Sequence, residues 1–539
     1  MSTKCVIVIV VCAATVLVLI YFGMSVLPEI ENQKNPHFYK AAVVEVVPFT
    51  DPSMSIFDVI LENLNTYQLA ADQASFHAVD IIVFPEGMLF TAINDFSTNR
   101  TVLIDTIAND IPNPANGDFN PCDQEEDFKD HFLLRILSCM AKSNEFYVVA
   151  NMVDYKLCRN NDDTSDKNAT TNCSDKSECP EDGFYLYNTN VVFNREGKLV
   201  ARYYKKHLYN EPAMNPTKCY QNGNFETDFG NFTTFISFDI LFKGAIEAVQ
   251  QKYVDNLALS TNWHDQTPFF LFAHVLGQSY SLFNQINTLG ANAHVPGKGS
   301  LGSGIFSVIN GTLMATHQPD AQTKLLISNV PKFPKNYTAT SHDLMRKRYH
   351  LVNNTFVAAP LLDEIKLHDL CEEKYVGPVN NTNEDYRCQS PNLADFKFKK
   401  LLKVNDTIDL CSNLFCCSLV YKAFSMNEDY FLAVEALNVT IYNMSHFYSE
   451  SCFLARCKLK SNNTCSSLFL NSETIFEEVT LKGNFTQKFI FPTSVDSSVR
   501  LTRKEKWSFD GKHQIVYKNP TGNSSLLFLG LEGRDYPDP

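Results

Sequence analysis

Between about Tyr39 and Pro331, short continuous apolar runs alternate with stretches whose apolar residues fall at helical spacing, and no other feature of the chain limits its fold so strictly. A run of roughly four to eight apolar residues reads as a strand covered on both faces, whereas apolar residues about three and four apart read as a helix with one buried side. Ala41–Phe49 (AAVVEVVPF) is the first run, and Phe57, Ile60, Leu61 and Leu64 after it have helical spacing. Asp80–Gly87 (DIIVFPEG) predicts a second strand, stopped by Pro85-Glu86-Gly87. A helix over Phe132–Ala141 leads to a strand over Phe146–Tyr155 and then a hairpin turning at Asn194–Gly197. Thr233–Phe242, Asp255–Trp263 and Ser303–Gly311 predict further strands, and Pro268–Phe283 an apolar helix. Sheets covered by helices, an α/β class, is the expectation.

At 539 residues the chain is too long for one ordinary core, so more than one domain is expected. Past about Thr340 strand-like runs (FLAVEALNVTIY, ETIFEEVTLKG, KFIFP) replace helical spacing. Cysteines concentrate in the same part: Cys371, Cys388, Cys411, Cys416, Cys417, Cys452, Cys457 and Cys465. An α/β domain over 38–335 is therefore expected to precede a smaller, mainly β, disulfide-rich domain over 340–535. The polar insert between Leu157 and Asp182, with Cys158, Cys173 and Cys179, reads as an exposed loop tied by disulfides.

The amino terminus points to a compartment. Lys4 precedes an apolar run from Cys5 to Leu27, longer than a signal-peptide core of about 7–15 residues and close to the roughly 20 of a membrane span. Residues 1–28 read either as a signal peptide, with Gly23 and Ser25 small enough for cleavage, or as a signal anchor that ties the chain to a membrane. Both readings send the rest into the secretory pathway, to be secreted or held at the cell surface. Without Cys5 and Cys12 the cysteines form an even set, as an oxidising compartment favours. N-x-S/T sequons begin at Asn99, Asn168, Asn172, Asn231, Asn310, Asn336, Asn353, Asn380, Asn405, Asn438, Asn443, Asn462, Asn484 and Asn523, a density expected of a glycoprotein. The net charge of −14 lacks the basic footprint of a nucleic-acid partner.

Three strand ends in the first domain carry polar groups: Phe84-Pro85-Glu86-Gly87, Tyr203-Tyr204-Lys205-Lys206-His207, and Phe235-Ile236-Ser237-Phe238-Asp239. Singly, these read as a turn carboxylate, a hairpin surface charge and a core hydroxyl. In this order and spacing the trio resembles the Glu–Lys–Cys set of the nitrilase superfamily, and the chain is identified as a member of its biotinidase and vanin branch. The runs IIVFPEG, REGKLVARYYKKHLY, FDILF and the GSGI of Gly302–Ile305 carry the resemblance, as do LCSNLFCCSLVYK, CFLARCKLKSNNTC and LKGNFTQKFIFP. It extends from about Phe38 to Gly530.

The resemblance implies an αββα sandwich that hydrolyses non-peptide carbon–nitrogen bonds. Glu86 would be the proton acceptor, Lys205 the proton donor and stabilising cation, and Ser237 would stand at the nucleophile position in place of cysteine. Glu211 falls near an additional glutamate of the superfamily, while Asn262 and Trp263 fall on a loop that lines the pocket in relatives. A small amide, pantetheine-like or biotinyl, would be the substrate or ligand. A thiol with a pKa of about 8.5 can be deprotonated by a carboxylate, whereas a serine hydroxyl is a far weaker acid and wants a base oriented by a third group. Hydrolysis is accordingly expected to be lost or strongly reduced. A hydrolase with residual or altered activity, a non-catalytic binding or signalling ectodomain, and a structural glycoprotein remain open alternatives. No metal or cofactor is expected: zinc spacings are missing, and the G-x-G-x-x-G of Gly297–Gly302 leads into an extended run rather than a helix.

Overall fold

The computed structural model describes residues 35–90, 100–158, 179–217, 221, 223–251, 254–268, 271–335, 344–361, 388, 393–441, 445–459 and 465–536. The amino-terminal apolar segment lies outside them, as do Asn99, Asn168, Asn172, Asn336, Asn380, Asn443, Asn462, Cys173, Cys219 and Cys371.

The first part of the chain runs β1 (Phe38–Glu45), α1 (Ile56–Ser75), β2 (Ile81–Val83), α2 (Arg100–Thr106), α3 (Phe132–Asn144), β3 (Tyr147–Leu157), β4 (Phe184–Phe193) and β5 (Leu199–Tyr204). It continues with β6 (Asn224–Thr227), β7 (Gly230–Ile236), α4 (Lys243–Gln251), β8 (Asn256–Thr261), α5 (Ala273–Asn284) and β9 (Asn287–Asn292). Last come β10 (Ser303–Ser307), β11 (Gly311–Thr316), β12 (Lys324–Pro331), β13 (Arg346–Val352) and β14 (Thr355–Ala358). These strands form two sheets, one in the order β14-β13-β12-β1-β2-β3-β4-β5 and the other β11-β10-β9-β8-β7-β6.

Side-chain alternation along the strands decides the layers. On β1, Ala41 and Val43 face the second sheet and meet Phe232, Ala258 and Leu289, whereas Ala42 and Val44 face α1 and α3. The far side of the second sheet, including Ile236, Leu257 and Leu259, is covered by Ile246 of α4 and Leu276 and Tyr280 of α5. The result is the expected αββα sandwich. Each fully buried large apolar side chain contributes about 1.5–3 kcal/mol. At the start of α1 the Ser55 hydroxyl accepts the Asp58 N–H at 3.1 Å, a cap that contributes about 1 kcal/mol.

Three expected boundaries differ. The run Thr233–Phe242 leaves the sheet after Ile236 and turns into a short 3-10 helix over Ser237–Leu241. The apolar helix begins at Ala273 rather than Pro268, because Gln266 and Leu271 exchange backbone hydrogen bonds across the intervening turn. The expected second domain gathers its strands from Lys397 onward; before it, β13 pairs antiparallel with β12 and β14 with β13, extending the first sheet.

The second domain is an antiparallel sandwich. One sheet orders Lys397–Lys400, Tyr430–Ile441, Ser445–Leu459, Leu526–Asp535, Phe489–Asp496 and Arg500–Leu501, with Cys465–Leu468 paired alongside. The other orders Asn405–Ser412, Phe415–Ser425, Ile475–Gly483, Gln514–Lys518 and Trp507–Phe509. Leu419, Val479 and Leu481 meet Leu432, Val434 and Leu454 between them, and the Cys417–Cys452 disulfide crosses the same core. Cys122–Cys139, Cys158–Cys179, Cys411–Cys416 and Cys457–Cys465 are also bonded. The outer face of the larger sheet rests on the first domain: Phe431 and Phe453 cluster with Phe272 and Val275, and the Tyr536 hydroxyl donates to the Leu241 carbonyl. The two domains therefore share apolar cores, and a cavity lies between them.

Candidate active site

Glu86 lies three residues past the end of β2, Lys205 directly follows β5, and Glu211 follows six residues later in the chain. These three side chains meet in the interior, at 3%, 2% and 4% side-chain exposure in the order Glu86, Lys205, Glu211. Lys205 Nζ lies 2.6 Å from Glu86 Oε1 and also donates to Glu211 Oε1. Asn188 Nδ2, from β4, donates to Glu86 Oε1 at 2.7 Å and to Glu211 Oε2 at 2.8 Å. Glu86 Oε2 accepts the Asn262 backbone N–H at 3.0 Å. Burial by itself would push the Lys205 ammonium down, but the flanking Glu211 and Glu86 carboxylates overcome that and hold it above its ordinary value. Burial raises the Glu211 carboxyl, with Lys205 acting against it.

Buried amides hold this cluster in register with both sheets. Asn188 Oδ1 accepts from Asn151 Nδ2 at 2.7 Å, and Asn151 Nδ2 also donates to Asn190 Oδ1 at 3.1 Å. Asn190 Nδ2 in turn donates to Thr234 Oγ1 at 2.8 Å and the Phe235 carbonyl at 3.2 Å, on β7, the strand that delivers Ser237. None of these asparagines was anticipated from the sequence. The polar alternation Asn188-Thr189-Asn190 inside an otherwise apolar strand was the signal for them.

Ser237 sits at the elbow where β7 ends, with φ of 44°, a left-handed conformation that a non-glycine residue rarely adopts. It is 5% exposed and lines a cavity of about 450 Å³ together with Asn262 and Trp263. Its hydroxyl makes no hydrogen bond with a described residue. The residues named from the sequence thus form two adjoining groups: Glu86, Lys205 and Glu211 in direct contact, and Ser237, Asn262 and Trp263 on the cavity wall. Asn262 joins them through its N–H to Glu86. Trp263 is locked by Nε1 donating to the Leu271 carbonyl at 2.7 Å.

His264 lines the same cavity and had not been singled out. Its Nδ1–H donates to the Lys298 carbonyl at 2.9 Å, which leaves the lone pair on Nε2, and burial holds the imidazole below its ordinary pKa. The opposite wall comes from the second domain: Glu435, Leu437, Phe447, Ser449, Glu532 and Arg534. Elsewhere, among the described sequons, Asn353, Asn405, Asn438, Asn484 and Asn523 are exposed, whereas Asn231 and Asn310 are half-buried.

The carbon-nitrogen hydrolase model matches residues 54–331, and the vanin C-terminal domain model matches residues 385–539. The chain belongs to the carbon-nitrogen hydrolase family. Its vanin-type second domain puts it in the vanin and biotinidase branch of that family. Human pantetheinase is 31% identical over 477 residues, which are 88% of this chain and 83% of that protein. Pantetheinase from Bos taurus is 29% identical over 481 residues, 89% of this chain and 84% of that protein. Biotinidase from Mus musculus is 27% identical over 519 residues, 94% of each chain. This carbon-nitrogen hydrolase scaffold therefore carries a preorganised Glu–Lys–Glu cluster beneath an inter-domain cavity.

Proposed function

We propose that the protein keeps its cavity as a binding site for small non-peptide amides, pantetheine-like or biotinyl, and that Ser237 in place of a nucleophilic cysteine leaves amide hydrolysis lost or strongly reduced. The observation that carries this reading is the Ser237 hydroxyl itself. It sits on a strained elbow at the cavity wall with no hydrogen bond to a described base. Both oxygens of Glu86 already accept from Lys205, Asn188 and Asn262.

With a thiol at this position, Glu86 would take its proton and the thiolate would attack the amide carbonyl. Lys205 would offset the charge developing on the carbonyl oxygen, and Glu86 would return the proton to the leaving amine. A hydroxyl gives up its proton far less readily, and a carboxylate held by three donors is a poor match for it. Binding survives this change, because exchanging one sulfur for one oxygen at position 237 leaves the rest of the cavity wall in place.

His264 favours one narrower alternative. With its Nε2 lone pair available in the same cavity, residual hydrolysis of esters, whose leaving groups ask less of a serine, would use it as base. We further propose that the chain works outside the cytoplasm, as a disulfide-bonded, glycosylated protein that is secreted or held at the cell surface.

The test is turnover of pantetheine and biocytin by the purified protein and its Ser237→Cys and Ser237→Ala variants. The parent is expected to be inert and Ser237→Cys to gain turnover that an added Glu86→Gln removes. Hydrolysis by the parent that Ser237→Ala abolishes would sink the proposal.

A further inference from the structure

The second-domain wall of the cavity carries charges that the chemistry at Ser237 does not use. Along the strand Tyr430–Ile441, Leu432, Val434 and Ala436 enter the core between the two sheets of the second domain. Phe431 and Ala433 lie on the other face, against the first domain, and Leu437 and Val439 continue that row along the cavity. Glu435 interrupts this apolar row. It is 8% exposed and lines the cavity, yet its carboxyl makes no hydrogen bond or ion pair with a described residue.

Strand register shows why no partner reaches it. Glu435 pairs with Ser451, and Ser451 with Glu532, so the three residues form one cross-strand row. Arg534 belongs to the neighbouring row, opposite Ser449, and is committed to Glu532 through Nε at 2.8 Å and Nη2 at 2.7 Å. Its guanidinium also lies over the Phe447 ring, 4.8 Å from the centroid. Asp395 adds an exposed carboxyl at the same cavity. Once Glu532 and Arg534 cancel, Asp395 and Glu435 remain without a described cation. Burial first, and then the nearby Glu532 and Asp395, push the Glu435 carboxyl up to about 8. A buried, unpaired carboxyl in an apolar row works against the fold, since an apolar side chain there would pack without the desolvation cost. A cationic ligand in the cavity would supply the partner that the described residues do not.

We propose that this wall is a cation-recognition subsite in which Glu435, flanked by Asp395 and Glu532, takes the ammonium group of a ligand whose amide lies over Ser237. The ligand class is then an amide with an aminoalkyl arm, its methylenes running along Phe396, Leu437 and Val439. The inference rests on the cavity being the amide site. It adds which amides enter: an ammonium supplies the missing counter-charge, a neutral chain leaves Glu435 unpaired, and a carboxylate meets like charge.

The experiment is calorimetric binding of N-acetylputrescine, N-pentylacetamide and γ-acetamidobutyrate, a cationic, a neutral and an anionic amide of similar length, to the purified full chain at pH ~9, where the Glu435 carboxyl is ionised and an alkylammonium still carries its charge. The cationic amide should bind about tenfold or more tightly than the neutral one, and the anionic one weakest. Glu435→Gln should bring the cationic and neutral amides within about threefold of each other. The charge removed is unpaired, so this variant is expected to fold, which its unfolding transition checks. Equal or tighter binding of the neutral amide, or a cation preference that survives Glu435→Gln, overturns the subsite while leaving the amide pocket standing. If none of the three amides binds the parent, both this subsite and the amide pocket fall.

Discussion

Replacing Lys205 with methionine removes the ammonium held between Glu86 and Glu211 and keeps most of the side-chain volume. All three groups are at most 4% exposed, so solvent cannot stand in for the lost cation. Deleting one partner of a buried ion pair costs about 3–5 kcal/mol. In the variant two carboxylates share Asn188 Nδ2, at 2.7 and 2.8 Å, and like charge forces one of them to take up a proton. The folded-state pKa of that carboxyl then rises above the unfolded value of about 4.3. A carboxyl raised on folding favours the folded state below its unfolded pKa, and that advantage is lost as pH rises, by about 1.4 kcal/mol per unit, until the folded pKa is passed. The deficit of Lys205→Met is therefore small near pH ~5 and grows toward about 3–5 kcal/mol near pH ~8. For a domain of roughly 300 residues this is a melting-point drop of about 5–8 °C at the higher pH. Urea unfolding followed by the fluorescence of Trp263, in a Trp507→Phe background, reads the first domain and its contact with the second. Adding Glu211→Gln should return part of the loss, because Glu86 then keeps the donors of Asn188 and Asn262 to itself. A deficit equal at both pH values, or below about 1 kcal/mol at pH ~8, would refute the reasoning.

Two further outcomes follow from the second domain. Glu435 rises from an unfolded value of about 4.3 to about 8, so its protonated form favours the fold at acid pH and that advantage drains away between these values. Glu435→Gln should match the parent near pH ~4 and exceed it by up to about 5 kcal/mol at pH ~8 and above, read by chemical unfolding; no gain at alkaline pH contradicts the unpaired carboxyl. Replacing both Cys417 and Cys452 with alanine should cost about 3–4 kcal/mol from the 35-residue loop they close, and a melting point unchanged from the parent would mean that the bond adds nothing.

How far the site was legible differs residue by residue. Glu86 and Lys205 stand in local signatures at strand ends, where a strand delivers its last side chain to a fixed place, and the structure brings them together. Glu211, whose spacing left its match open, proves to be the second carboxylate on Lys205. Ser237 looked like part of a continuing strand, and its left-handed elbow is a backbone state that residue type does not encode. Asn188, Asn151 and Asn190 escaped notice because their donors and acceptors are matched across strands far apart in sequence. Glu435 was visible as one charge inside FLAVEALNV, but an apolar run with one carboxylate reads the same whether that carboxylate meets solvent or a cavity.

The sequence by itself determined the alternation of strands and helices in the first domain, the mainly β, disulfide-rich character of the second, the Glu–Lys pair and the serine at the nucleophile position, while the αββα layering entered with the family resemblance. Side-chain periodicity and short motifs are local, and they carry that information without a partner. Only the tertiary structure decided that the outer face of the second domain's larger sheet rests on the first domain and closes the cavity above Ser237. It also decided that Arg534 is spent on Glu532, leaving Glu435 alone. Register across three strands and contact between two domains set those pairings, and neither is written in the order of residues along any one strand.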